Sequence, residues 1–195
     1  MEDYFAFMGF PRRLSLDAGE LQRRYFDLSR KYHPDFHTHD EEPGRQTSLE
    51  QSSVLNQAYR TLKDRNERAR HLLWLEWPDL PESEKKKIPP ALLMEVMEMQ
   101  EKIADAGSEV DESRKAALQG ELLDIEARLK TKMGDLDGTL DALATEWDGI
   151  ADGGDADARR NLLTRLNTLL NTRNYLRTLL ATIDAAVRGG QGVRH

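Results

Sequence analysis

The sequence predicts an all-α protein in two parts, an N-terminal antiparallel helical hairpin and a C-terminal helical bundle. Three observations lead there. Apolar residues recur three and four positions apart along most of the chain, and no stretch alternates apolar and polar residues as a half-buried strand would. Residues 77–90, "WPDLPESEKKKIPP", hold four prolines and a lysine run without apolar periodicity, and they divide the chain. Gly107, Gly134 and the pair Gly153-Gly154 fall where periodic segments pause.

Composition bounds what such a protein does. The chain has 195 residues, enough for one domain or two small ones with real cores. Charged residues make up 32% and aromatics 7%, the balance of a soluble, helix-rich protein. A formal charge of −7 argues against nucleic acid as the main partner. There is no cysteine, which excludes disulfides, thiolate catalysis and cysteine-held zinc or iron–sulfur centres. The opening "MEDYFAFMGF" lacks the basic region and long apolar stretch of a signal peptide, and no apolar run reaches the length of a membrane span. A cytoplasmic protein with no membrane partner is expected.

Before the divide, helices are predicted near 2–9 and at about 17–32, 46–63 and 65–76. After it they are predicted at about 90–106, 111–133, 136–148 and 156–188, and the tail "RGGQGVRH" is expected to be disordered. In the second helix Leu21, Tyr25, Leu28 and Tyr32 make one apolar stripe. Arg23, Arg24, Arg30 and Lys31 gather opposite, with Asp27 among them. Such a face is usually just solvated; it also suits docking to an acidic partner. Pro34 disfavours the α conformation at His33, so the helix ends there. In the next helix Leu55, Ala58, Tyr59 and Leu62 form a stripe that can face the first. The joining loop starts with His33-Pro34-Asp35.

That loop also raises a metal reading. His33, Asp35, His37, His39 and Asp40 offer nitrogen and oxygen ligands for zinc or nickel. They lie in a polar loop with no evident partners to orient them, so no metal and no cofactor is expected.

In the helix from residue 90, Leu92, Val96, Met99 and Ile103 form a core stripe. Leu93 and Met97 sit roughly 110° away from it, at about 100° per residue, and Met94, Glu98 and Glu101 continue this second face. Two readings stay open here: a helix buried on two sides, or an exposed apolar patch with an acidic rim that binds a protein. In the last helix Leu162, Leu166, Leu169, Leu170, Leu176, Leu180, Ile183 and Val187 cover the core side, with Tyr175 off that stripe.

The helix pair with its HPD loop and the later "LNQAYRTLKD" resembles a J-domain. Adding "DYFAFMGFP", "ERARHLLWL" and "LLMEVMEMQEKI", nearly the whole chain resembles the HscB-type J-domain co-chaperones of iron–sulfur cluster assembly. The segments "GSEVDESRK" and "DGGDADA" match no pattern of that family. The resemblance implies a J-domain over 1–78 and a client-binding bundle over 88–190. It implies a protein that is not an enzyme and that stimulates ATP hydrolysis by an HscA/DnaK-type chaperone. Asp35 would pair with an arginine of that ATPase, His33 and Pro34 would present it, and Arg23, Arg24, Arg30 and Lys31 would meet an acidic face. Leu93, Met97 and Tyr175 match the positions that bind an IscU-like scaffold protein, with Leu92, Met94, Glu98 and Glu101 as neighbours. The scaffold carries the cluster, so this chain needs no cofactor.

Overall fold

The computed structural model describes residues 2–32, 42–85, 87–108, 111–150 and 153–189, and among them every regular element is a helix. Four helices precede the divide: α1 (Tyr4–Phe7), α2 (Ala18–Tyr32), α3 (Glu42–Lys63) and α4 (Arg65–Glu76). Asp3 caps α1 by accepting the Ala6 N–H at 3.1 Å, and Gly9, at φ +72°, turns the chain out of it. Asp64 interrupts what would be one long helix. It accepts the N–H groups of Asn66 and Glu67 at 2.8 and 2.9 Å, which starts α4 afresh.

The predicted stripes of α2 and α3 do face one another. Leu21, Leu55, Ala58 and Leu62 are buried between them. Tyr25 and Tyr59 stack with ring centres 4.3 Å apart, and the Tyr25 hydroxyl donates to Asn56 Oδ1 at 2.8 Å. The α1 turn packs on α3, and His71 of α4 closes it from below. Its Nε2 accepts the Tyr4 N–H at 3.0 Å while its ring stacks on Tyr4, centres 4.5 Å apart.

The divide is less irregular than its prolines suggest, since it holds a single turn, α5 (Glu82–Lys85). The Glu84 carbonyl accepts amides from Asn167 and Asn171, at 2.8 and 3.0 Å. Three long helices follow: α6 (Pro90–Ser108), α7 (Glu112–Ile150) and α8 (Ala156–Gly189).

Here one expectation fails. The helices predicted over 111–133 and 136–148 are a single helix of 39 residues, which runs through Gly134. A glycine inside a helix costs only about 1 kcal/mol relative to alanine. Against that stands an unbroken stripe, Leu129, Met133, Leu136, Leu140, Leu143 and Trp147, spaced by alternating steps of four and three. Its members are buried or partly buried, and their packing holds the helix through its glycine.

The chain forms two compact units. One holds the residues up to Leu80 together with Leu143–Thr164; the other holds Pro81–Ala142 and the chain from Arg165. The expected domains ran along the sequence, 1–78 and 88–190, whereas the first unit also takes in the end of α7 and the start of α8.

Within the first unit those added residues are fastened by polar contacts. Asp148 accepts the N–H of Leu14 at 2.7 Å and of Ser15 at 2.8 Å. Trp147, buried, donates its Nε1–H to the Arg12 carbonyl at 2.9 Å. Glu76 accepts from Arg12 at 2.9 Å and from Arg159 at 2.6 Å, and the Arg160 guanidinium lies 3.6 Å over the Trp77 ring. Arg68 is also buried here. Burial pushes its guanidinium pKa down and neighbouring Arg65 adds to that, against the opposing charges of Asp148 and Asp64.

The second unit has its own core. Leu92, Val96 and Met99 of α6 pack with Leu122, Ile125 and Leu129 of α7 and with Leu176, Leu179 and Ile183 of α8. Ion pairs rim it: Lys102 with Glu121, Lys132 with Glu95, and Arg173 with Asp137 at 2.6 Å.

Candidate functional site

Two faces, one in each unit, answer to the residues singled out above. On α2, Arg23, Arg30 and Lys31 are exposed, Arg23 and Arg30 on the side away from Leu21. Arg24 does not join them. Its guanidinium lies 4.1 Å over the Phe10 ring and donates to the carbonyls of Met8, at 3.3 Å, and Gly9. Its remaining donors reach Glu20 Oε1 at 2.6 Å. The charge expected on a docking face instead satisfies the carbonyls left open where α1 ends. The other end of the predicted site, His33-Pro34-Asp35, lies outside the described residues, as do His37, His39 and Asp40.

Periodicity gave no role to Phe26, which is 51% exposed on the same face. Its signal was available: it stands three residues after Arg23 and four before Arg30, well off the apolar stripe.

In the second unit, α6 presents the face predicted for it. Of seven large hydrophobic side chains exposed among the described residues, three are Leu93, Met94 and Met97. They are 46%, 75% and 70% exposed, and Glu98 and Glu101 are exposed beside them. This excludes a helix buried on two sides, which would hide them. Two assignments are corrected, one of a matched position and one of a neighbour. Leu92 is 6% exposed and belongs to the core with Val96 and Met99, whose helical phase it shares. Tyr175 was expected off the core stripe, but it is half-buried and packs on the core cluster, its ring being large enough to reach inward from a flank. Beside this face a cavity of about 130 Å³ opens between Glu95 and Glu98 of α6 and Arg128 and Lys132 of α7, floored by Met99, Ile125, Leu129 and Leu179.

Among the described residues no cluster of histidine and acidic side chains is placed to hold a metal ion, and no helix is long and apolar enough to cross a membrane. His71 is the buried histidine among the described residues; burial lowers its pKa, which favours the neutral ring whose Nε2 accepts the Tyr4 N–H.

Residues 3–71 match the family model of the DnaJ domain, and residues 88–177 match that of the HSCB C-terminal oligomerisation domain. The Co-chaperone protein HscB homolog of Chromobacterium violaceum is 34% identical over 68% of this chain and 77% of its own length. Its counterpart in Ralstonia nicotianae is 32% identical over 83% of this chain and 87% of its own. The mouse Iron-sulfur cluster co-chaperone protein HscB is 30% identical over 90% of this chain and 68% of its own. Among solved structures, human co-chaperone protein HscB superposes with a TM-score of 0.64 at 26% identity, over 94% of this chain and 81% of that one. HscB from Vibrio cholerae shares the fold, with a TM-score of 0.54 over 93% of this chain and 99% of its own, at 22% identity. With a J-type hairpin, a second unit of the matching kind and relatives aligned over most of their length, the chain belongs to the HscB family of J-domain co-chaperones.

Proposed function

We propose that this protein captures an IscU-like iron–sulfur scaffold protein and delivers it to an HscA/DnaK-type chaperone whose ATP hydrolysis it triggers. Residues 1–78 act on the chaperone and residues 88–190 hold the client. The observation that carries the reading is the α6 face. Leu93, Met94 and Met97 stand clear of a core that is complete without them, beside Glu98 and Glu101. Clustered exposed apolar side chains with a polar rim mark a protein-binding surface. The choice of client rests on family membership and on the iron–sulfur role named for the mouse relative.

On the other unit, Arg23, Arg30 and Lys31 suit an acidic partner and fast, salt-sensitive association. Asp35, presented by His33 and Pro34, supplies the carboxylate that engages the ATPase. The barrier lowered is the chaperone's own, so this chain carries out no bond-making step. The cluster travels on the scaffold as cargo.

The test is a single-turnover ATPase assay of an HscA/DnaK-type chaperone with and without this protein. Wild type accelerates hydrolysis, and Asp35→Asn, which keeps size and fold but removes the charge, loses most of that acceleration. Full stimulation by Asp35→Asn would refute the role given to the loop. Titration calorimetry with an IscU-like scaffold tests the client, and absence of binding to wild type would refute that half.

A further inference from the structure

We infer that Met94 and Met97 make the exposed face of α6 a reversible oxidation site, where a hydroperoxide converts both thioethers to sulfoxides and so releases the client. This deepens the function proposed above and rests on it. The selectivity lies in the fold. Five of the six methionines are among the described residues. Met8 and Met99 are 2% and 1% exposed, and Met133 is partly buried against the core of the second unit. Met94 and Met97 are 75% and 70% exposed. An oxidant has to reach the sulfur, so these two react while their buried counterparts are shielded. The chain has no cysteine, so no thiolate competes for the oxidant.

Helical phase puts both sulfurs where the change matters. At about 100° per residue, Met97 lies between Leu93 and Met94, roughly 40° from one and 60° from the other, and Met99 points roughly 160° away from Met97. Thioethers therefore make up two of the three exposed apolar side chains on this face. The oxidation is complete with the peroxide alone. Its hydroxyl oxygen passes to sulfur as the O–O bond breaks, and the proton goes to the departing oxygen, which leaves as an alcohol, or as water from hydrogen peroxide. Sulfur loses two electrons and the peroxide gains them. The reverse takes two thiols, which couple as a disulfide while the oxygen leaves as water, the reaction of methionine sulfoxide reductases. A sulfoxide is polar, so on docking it sheds water that an apolar client surface does not replace. Glu98 and Glu101 stand four residues after Met94 and Met97, and a carboxylate accepts hydrogen bonds, offering the S–O group no donor. Neither methionine belongs to the core cluster, so oxidation spares the fold.

The experiment treats the full-length protein with hydrogen peroxide and removes the excess with catalase before an IscU-like scaffold is added. Peptide mass spectrometry reads which methionines gain oxygen, calorimetry reads scaffold affinity, and thermal melting reads the fold. Met94 and Met97 are expected to gain oxygen more than about tenfold faster than Met8 and Met99. Scaffold affinity of the wild type then falls by about tenfold or more with little change in Tm, and sulfoxide reductases for both epimers, with a thiol, restore it. Met94→Leu/Met97→Leu, whatever its starting affinity, binds equally before and after peroxide. Met94→Gln/Met97→Gln, polar without any oxidant, binds like the oxidised wild type. Four results each overturn the inference and leave the proposed function standing: oxidation as fast at Met8 and Met99 as at Met94 and Met97, wild-type affinity unchanged by oxidation, a peroxide-sensitive affinity in the folded leucine pair, or a glutamine pair that binds like untreated wild type. Failure of the untreated wild type to bind the scaffold removes the proposed function, and the inference with it.

Discussion

Removing the carboxylate of Asp148 should weaken the first unit from a position more than 130 residues away in sequence from the groups it holds. Its two oxygens each accept a backbone N–H, from Leu14 at 2.7 Å in a partly buried setting and from Ser15 at 2.8 Å in an exposed one. A hydrogen bond to a charged group contributes about 1.5–3 kcal/mol when buried, and much less where water competes. One bond near the lower end of that range and one of a few tenths give about 2 kcal/mol for Asp148→Ala. Loss of a counter-charge for the buried Arg68 acts in the same direction. Asp148→Asn keeps one acceptor and turns its amide toward the other N–H, so about half the effect is expected. For a chain of this size 1 kcal/mol moves Tm by about 2–4 °C, which makes the alanine shift about 4–8 °C downward. Thermal melting by circular dichroism measures it, and hydrogen exchange localises it to the amides of Leu14 and Ser15. An alanine variant that melts within about 1 °C of wild type, with those amides still protected, would show that the contact contributes nothing.

Three further outcomes can be measured. Burial lowers the His71 pKa from 6.5, so the folded state prefers the neutral ring; stability is fully present above pH 6.5 and declines as pH falls from there through the lowered folded value. Melting curves from pH 7.5 to pH 5 should show this loss in wild type and not in His71→Gln, and parallel curves would refute it. Gly134→Ala should raise stability by about 1 kcal/mol, because the added methyl meets nothing within 4 Å; a lowered Tm would mean that the glycine is needed as such. Leu93→Ala/Met97→Ala should weaken scaffold binding at least tenfold by calorimetry with little change in Tm, since both side chains are largely exposed. Adding Tyr175→Ala should lower stability by about 1–2 kcal/mol, because that ring is half-buried; unchanged affinity in all these variants would remove the patch assigned to the client.

The helices and their core faces were legible wherever burial repeats at helical spacing. Leu21, Leu55, Ala58 and Leu62, and again Leu92, Val96 and Met99, lie where their periodicity placed them. The exposed trio on α6 was legible for the converse reason, as apolar residues left over once the core stripe was drawn. Single residues that act against their local pattern were not legible. An arginine on a charged face reads as solvated, and nothing near Arg24 in sequence announces that the carbonyl of Gly9 will take its guanidinium. Gly134 reads as a stop because glycine is a poor helix former, yet a penalty of about 1 kcal/mol is small against a continuous packed stripe. Leu163 and Leu179 are buried beyond the stripe drawn for α8, since periodicity counts faces without saying how many neighbours a helix has. Nor does a stripe say which unit it will pack into, and so the grouping of 143–164 with the first 80 residues could come only from tertiary structure.

That grouping bears on how the protein is made. A chain emerges from the ribosome N-terminus first, at about 5–20 residues per second, and domains generally fold as they appear. Here the first unit cannot be finished when Leu80 has been synthesised, because it still lacks Leu143–Thr164. For several seconds at those rates the α1–α4 segment has no Asp148 to hold the N–H groups of Leu14 and Ser15 and no Trp147 indole on the Arg12 carbonyl. The second unit in turn waits for the chain beyond Arg165, so both units are completed by the same late helix, α8. A nascent co-chaperone of this design is thus itself a candidate for chaperoning, and a message truncated before the codon for Thr164 would yield neither unit whole.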